Sequence, residues 1–537
     1  MKFPGLILFF IFFLSGNGFS QFLEFEKNIM EPGNYLEVIS QKSLKSAQLQ
    51  DYDVKWYFLD LEADNLSVNI KGNVTILVEI ILEGMDELVV ELASDMFVDS
   101  IVINSQSRSF THSGDLLSIS LANPLARGDL LEFRIYYHGQ PSQGVFHAID
   151  PRWGVHVSWT LSEPFSAKNW FPCKQDLKDK ADSSRVFITT VDGLMAGSNG
   201  LLKNIVPLVD SKVRYEWFSN YPIVYYLISF AISDYQDYSF YAHPQETDSI
   251  LVQNYIYDDP SCLNAFENDL KETSELIELY SDLYSQYPFY DEKYGHCLVP
   301  SGSYMEHQTM STMKDFVYRI VAHELAHQWF GDQVTCASWQ DIWINEGFAS
   351  YSEYIALENL RSHEDAHAWM KNAHAYALER PQGSVYIPFE ESGNVGRIFD
   401  YRLSYKKGAA IIHMLRFELD DDLAFFETLK EFQSDFRDSV AIGLDFKEVA
   451  ESVSGMDLTT FFDQWYFGKG YPLYEIKWGQ VDDTLWINTT QLTSTTETPL
   501  FKMPLEFRFD FTSGDSIVRV FQDEVVESFK FKVSDYV

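Results

Sequence analysis

His323 and His327 stand four residues apart in the segment His323-Glu324-Leu325-Ala326-His327. Residues at that spacing on a helix lie on one face, so two imidazoles can grip one ion together. Zinc favours nitrogen and oxygen donors in a tetrahedron, and a catalytic zinc keeps three protein ligands and one open position. The candidate third ligand is Glu346, nineteen residues after His327 in Trp343-Ile344-Asn345-Glu346-Gly347-Phe348-Ala349. Glu324 is turned about 100° around the helix from its neighbour and can face water at the ion instead. Zinc lowers the pKa of such a water to about 7. Glu324 is then the expected general base, taking the proton and passing it to a leaving amine.

These residues need two helices joined by a loop that folds back. Apolar residues at helical spacing predict helices over 264–287, 316–330, 346–360, 409–419 and 423–432. Glu346 opens the third of them. On either side the texture is different. Val74, Ile76, Val78 and Ile80 alternate with mostly polar residues, the period of a half-buried strand. Strands are predicted across 45–160, at 185–192 and 223–232, and again in the last stretch at 474–478, 485–491, 505–511 and 517–521. The breaker cluster Gly468-Lys469-Gly470-Tyr471-Pro472 closes the helical part. The fold class expected is multidomain α+β. Residues 1–20 read as a signal peptide, 21–235 as an N-terminal β domain, 236–472 as a mostly helical catalytic domain and 473–537 as a C-terminal β domain.

A chain of 537 residues is too long for one core. Its formal charge is −39, from 40 Lys and Arg against 79 Asp and Glu. Such a field repels nucleic acid and anionic lipid and tolerates a cationic partner such as a peptide's free amine. Lys2, the apolar run Leu6 to Leu14 and the small residues up to Ser20 form an export signal, with the cut expected after Ser20. Export to a periplasm or the cell exterior follows, with no membrane span after signal removal. The four cysteines, Cys173, Cys262, Cys297 and Cys336, form no CxxC pair and allow three disulfide pairings, among which the sequence does not choose.

The segment His-Glu-x-x-His followed by Trp-x-Asn-Glu-Gly-Phe-Ala resembles the gluzincin aminopeptidases of the aminopeptidase N and leukotriene-A hydrolase type. Three further motifs follow the family's order. Ser303-Tyr304-Met305-Glu306-His307 resembles its Gly-x-Met-Glu-Asn strand, with Ser303 and His307 departing from the pattern. Phe171-Pro172-Cys173 resembles its Phe-Pro-Cys turn, and Tyr405-Lys406-Lys407-Gly408-Ala409 its Tyr-x-Lys-Gly-Ala. The resemblance covers about residues 45 to 475 and implies one zinc per chain on His323, His327 and Glu346. It implies that Glu306 binds a substrate's α-amine, helped by Glu163, ten residues before Cys173. It also implies that Tyr405, with Tyr401 as fallback, stabilises the oxyanion. The implied architecture is an N-terminal β saddle, a thermolysin-like domain and a β-sandwich. The family's usual C-terminal helical domain is not read here, and the end at Val537 in β-rich sequence favours a shortened or truncated chain. The function expected is removal of single residues from peptides with free N-termini.

Overall fold

The structure is a computed structural model and describes residues 47–533 apart from Glu246, Thr247, Ser301, Ser303, Thr512 and Ser513. The signal peptide and its cut after Ser20 lie outside the described residues, as does Ser303 of the amine-binding motif. Among the described residues no helix is long and apolar enough to cross a membrane.

The first third is built on strands because its apolar residues alternate. In Tyr52–Glu62 the side chains of Tyr52, Val54, Tyr57, Leu59 and Leu61 are buried. This strand pairs antiparallel with Ile70–Ile80 and parallel with Ser183–Val191, at the middle of an eight-stranded sheet. A four-stranded sheet runs Met195–Ser198, Phe230–Ser233, His156–Thr160, Val145–Ile149. Glu163 follows directly from the end of His156–Thr160. The expected strand over 223–232 shrinks to Phe230–Ser233, preceded by a 3-10 turn at Tyr225–Leu227. Its aromatic residues are buried on every side rather than on one, so the run carries no strand period.

The helical part begins with a sheet. Tyr235–Ala242 and Ile250–Tyr257 are antiparallel, and Tyr294–Leu298 and Ser311–Met313 add parallel strands. The helices Pro260–Leu283, Trp343–Leu360, Gly408–Leu419 and Asp422–Asp435 fall close to the expected spans. The motif helix is shorter than its apolar pattern predicts, Tyr318–Ala326 instead of 316–330. The amides of Asp332, Gln333 and Val334 return to the carbonyls of His327, Gln328 and Trp329 and wrap the chain into a turn. Gly331, at φ +133°, allows it. Three helices had no clear sequence signal: His363–Leu378, Gly443–Ser454 and Thr459–Trp465. In the first of them two of the inward positions are only alanines, Ala366 and Ala373, which weakens the apolar stripe.

One continuous core runs from Tyr52 through both of these regions to Phe501. The last stretch forms a three-stranded sheet (Pro472–Val481, Thr484–Thr493, Val526–Lys532) and a two-stranded one (Met503–Phe511, Gly514–Gln522) around a separate small cluster of Leu485, Ile487 and Phe509. The four cysteines are all buried and unpaired with one another.

Candidate metal and catalytic centre

The motif helix is held by rings. Trp329 sits edge-on to Tyr280, Tyr284 and Tyr287, and its indole N–H donates to the Ser285 carbonyl. His327 falls just past the last helical residue but keeps helical backbone angles, so the two imidazoles still share a face with ring centroids 4.8 Å apart. The next helix, Trp343–Leu360, is fixed at its first turn by Asn345, whose side chain accepts from Cys336 N at 3.1 Å and donates to the Tyr226 hydroxyl at 3.0 Å. Glu346 is thereby delivered beside the histidines. Its Oε2 lies 3.3 Å from His323 Nε2 and 3.5 Å from His327 Nε2. One donor atom from each of the three residues falls within 4.8 Å of the others.

Behind the imidazoles stand partners that the sequence reading missed. His327 Nδ1 donates to the Phe330 carbonyl at 3.0 Å. His323 Nδ1 stands 3.3 Å from Glu353 Oε1, and Glu353 Oε2 accepts from Trp369 Nε1 at 2.9 Å. Both rings therefore turn Nε2 toward Glu346, the arrangement in which a metal-ligating histidine is oriented by its other nitrogen. Glu353 had a legible signal, being seven residues and two turns beyond Glu346 on the same helix. The Phe330 carbonyl had none.

The charges at this point call for a cation. The charges of Glu306, Glu346, Glu324 and Asp332 all act on Glu163 here. Burial works against charge on Glu346, but contacts with His323 and His327 outweigh it and hold the carboxyl at about 2. Burial likewise opposes protonation of the imidazoles. At His323 Glu346 and Glu353 outweigh it and raise the group to about 9. At His327 Glu306 and Glu346 do so, to about 10. Glu353 is buried, yet the charge of Lys406 and the contact with His323 hold it at about 2. Two imidazoles beside a group of buried carboxylates form a donor set suited to a divalent cation. A zinc ion fits this donor set, with His323, His327 and Glu346 as its ligands.

Glu324 is buried next to these ligands, and burial together with Glu306 and Glu346 pushes it up to about 8. Glu306 is carried by a short antiparallel bridge between Met305 and Thr312. Gln328, directly after the second histidine, ties that bridge to the motif helix. It donates to the Glu306 carbonyl at 3.2 Å and accepts from Thr309 N at 2.8 Å. Gln328 was also missed, since an amide on the inner face of a helix gives no spacing signal. His307 is buried beside Glu306, and its Nδ1 lies 2.9 Å from Thr312 Oγ1. Glu163 arrives from the β region, where the Tyr225 hydroxyl donates to the Pro164 carbonyl at 2.7 Å and Trp170 Nε1 donates to Ser162 Oγ at 2.8 Å. Glu163 Oε1 and Glu306 Oε1 are both buried without a hydrogen-bond partner. Burial, then Glu306 and Glu346, drives Glu163 well above the carboxylate range.

Tyr405 enters from a π-helical segment, Tyr401–Lys407, which runs straight into helix Gly408–Leu419. Its ring lies nearly parallel to that of His323, centroids 6.0 Å apart. Burial, then Glu346, keeps its phenol well above the usual range and so protonated. Tyr401 packs behind it at 5.7 Å. The approach depends on two glycines from different motifs. A Cβ on Gly408 would come 3.0 Å from the Gly347 Cα, and one on Gly347 would come 3.3 Å from the Gly408 Cα.

Residues 272–465 match the family model described as the peptidase family M1 domain. The chain is 30% identical over 252 residues to aminopeptidase N of Lactococcus lactis subsp. lactis, covering 42% of this chain and 29% of that one. It is 26% identical over 358 residues to mouse (Mus musculus) aminopeptidase N, covering 60% of this chain and 36% of the other. The chain thus spans about a third of the length of the curated relatives it matches. In fold it is similar to an M1 zinc metallopeptidase from Deinococcus radiodurans, with a TM-score of 0.67 at 23% identity over 77% of this chain and 93% of that one. The matched stretch holds both histidines, Glu346 and Tyr405, so the part of the chain that carries the candidate centre is similar to the peptidase family M1 domain and to aminopeptidases N.

Proposed function

We propose that the chain is a zinc-dependent aminopeptidase, hydrolysing the first peptide bond of peptides with a free N-terminus. The observation that carries this reading is the pair of buried carboxylate oxygens, Glu163 Oε1 and Glu306 Oε1, left without partners beside the His323, His327 and Glu346 cluster. An unpartnered buried acceptor is costly, and an incoming ammonium group satisfies both. A bound zinc would supply Lewis acidity that polarises a carbonyl and makes water acidic near neutral pH. Glu306 and Glu163 hold the α-ammonium and so set the scissile bond one residue from the chain end. Glu324 accepts the proton of the attacking water and returns it to the leaving amine. The Tyr405 hydroxyl donates a hydrogen bond to the carbonyl oxygen as it gains charge. Burial of the site excludes bulk water and strengthens each of these interactions.

The β saddle, thermolysin-like and β-sandwich names for the three regions belong to the same reading, with boundaries near 235 and 472. So does export, which rests on the first twenty residues.

Fluorogenic aminoacyl and N-acetyl-aminoacyl substrates, assayed with and without a zinc chelator, test the proposal. Free-amine substrates are expected to turn over, chelation to stop them and zinc to restore them, while acetylated substrates stay uncut. Equal cleavage of capped and free substrates would mean that Glu163 and Glu306 do not select the amine.

A further inference from the structure

We propose that Lys406 is a positioning residue for the zinc ligand His323, acting through Trp369 and Glu353. The inference rests on the metal reading above and extends it to the side of His323 that faces away from Glu346. Three elements converge there. Helix Trp343–Leu360 supplies Glu353, whose Oε1 lies 3.3 Å from His323 Nδ1. Helix His363–Leu378 supplies Trp369, which donates its indole N–H to Glu353 Oε2 at 2.9 Å. The π-helical segment supplies Lys406, whose ammonium sits 4.1 Å from the centroid of the Trp369 ring and 5.1 Å from that of Tyr401.

Glu353 and Lys406 are each 1% exposed. A carboxylate that deep needs compensating charge, and Arg319 supplies part of it as an ion pair at 3.7 Å. Lys406 adds to that charge, and its seat on the indole face polarises the N–H that grips Glu353. With Oε2 clamped from one side, Oε1 is left 3.3 Å from His323 Nδ1, in ion-pair contact but not aligned as a hydrogen bond. That contact bears on the tilt of the imidazole and so on its basicity toward a metal. Lys406 is also the residue after Tyr405. One π-helical segment therefore presents the oxyanion donor on one side and the support for the ligand on the other.

Lys406→Met keeps the stem and removes the charge. In the full chain, loss of zinc to a competing chelator is expected to quicken by about tenfold, the lower end of what removing a metal ligand's outer partner does. The visible spectrum of the cobalt-substituted protein is expected to shift, which a purely structural contribution would not cause. A folded Lys406→Met protein that releases zinc at the wild-type rate with an unchanged cobalt spectrum overturns the proposal. If that variant does not fold, Trp369→Phe decides on the same two readouts. It keeps a ring for Lys406 and deletes only the donor to Glu353, so unchanged readouts overturn the proposal there as well. Failure of the wild-type chain to take up zinc would sink the metal reading itself, a result distinct from either variant behaving as wild type.

Discussion

Glu324 and Tyr405 are expected to act on the reaction and not on the metal. Glu324→Gln keeps the shape of the side chain and removes its basicity. It should lower kcat by roughly 10²–10⁴-fold with zinc content unchanged. Tyr405→Phe deletes one donor and should lower kcat by roughly 10²–10³-fold with little change in KM. Steady-state kinetics alongside metal analysis separate these outcomes from loss of the ion. Full activity in the tyrosine variant would transfer the donor role to Tyr401, whose ring is the next one back. At this scale the sequence pointed to the candidate metal ligands, because their spacing is set by one helix and one motif. It did not show Gln328, Glu353, Lys406 or Trp369. Glu353 alone had a spacing signal, two turns beyond Glu346, while the roles of the others come from meeting across elements, which neither type nor spacing records.

The crossing of helices Trp343–Leu360 and Gly408–Leu419 is the element-scale counterpart. Glu346 and Tyr405 each stand next to, or three residues from, a glycine whose partner glycine lies on the other helix. Contact between the two backbones is what brings the phenol over His323. Gly408→Ala forces a methyl into a backbone gap of 3.0 Å. It is expected to cost about 1–3 kcal/mol of stability and to lower kcat, since the displaced residue sits three positions from Tyr405. Gly347→Ala, with 3.3 Å available, is expected to cost less. Denaturant unfolding of the two variants measures the difference. Equal stability in Gly408→Ala and wild type would show that the helices can part freely. The motif helix teaches a related point. Its apolar pattern continues past Ala326 because Trp329 and Phe330 are still buried, but the backbone has already turned. Burial pattern and helix length separate wherever a tight turn stays inside the core.

At the scale of the whole molecule, the candidate site straddles two regions that share one core. Glu163 comes from the β side and the metal ligands from the helical side. Lys180 crosses the boundary to donate to the carbonyls of Asp332 and Gln333 at 2.8 and 2.7 Å. Asn199 donates to the Gln308 carbonyl at 2.8 Å, beside Glu306. Part of this shared core responds to acid. His296 is fully buried in the strand Tyr294–Leu298, its Nδ1 2.6 Å from Asn254 Oδ1, and burial pushes it from 6.5 down to about 3. Below pH 6.5 the unfolded chain binds a proton there that the folded chain refuses. Stability from this group therefore falls as pH drops, by about 1.4 kcal/mol per pH unit. His296→Gln keeps an amide donor for Asn254 and loses the titration. Urea unfolding at neutral pH and about one unit below the histidine range should show a shallower acid loss in the variant, by one proton. Identical pH slopes in the two proteins would contradict the buried neutral state.

The sequence by itself pointed to the candidate ligand set and to the acid beside it, and it carried the order β, helical, β. Those properties are carried by local spacing and by residue period, which survive without knowledge of the fold. Only the tertiary structure decided that the charges of Glu306 and Glu346 reach Glu163, that the cysteines are free, and that the motif helix stops at Ala326. It also placed a buried lysine behind His323 through two other helical elements. Each of these is a contact between residues distant along the chain, fixed by which surfaces bury against one another, and burial between elements leaves no mark on the spacing within either one.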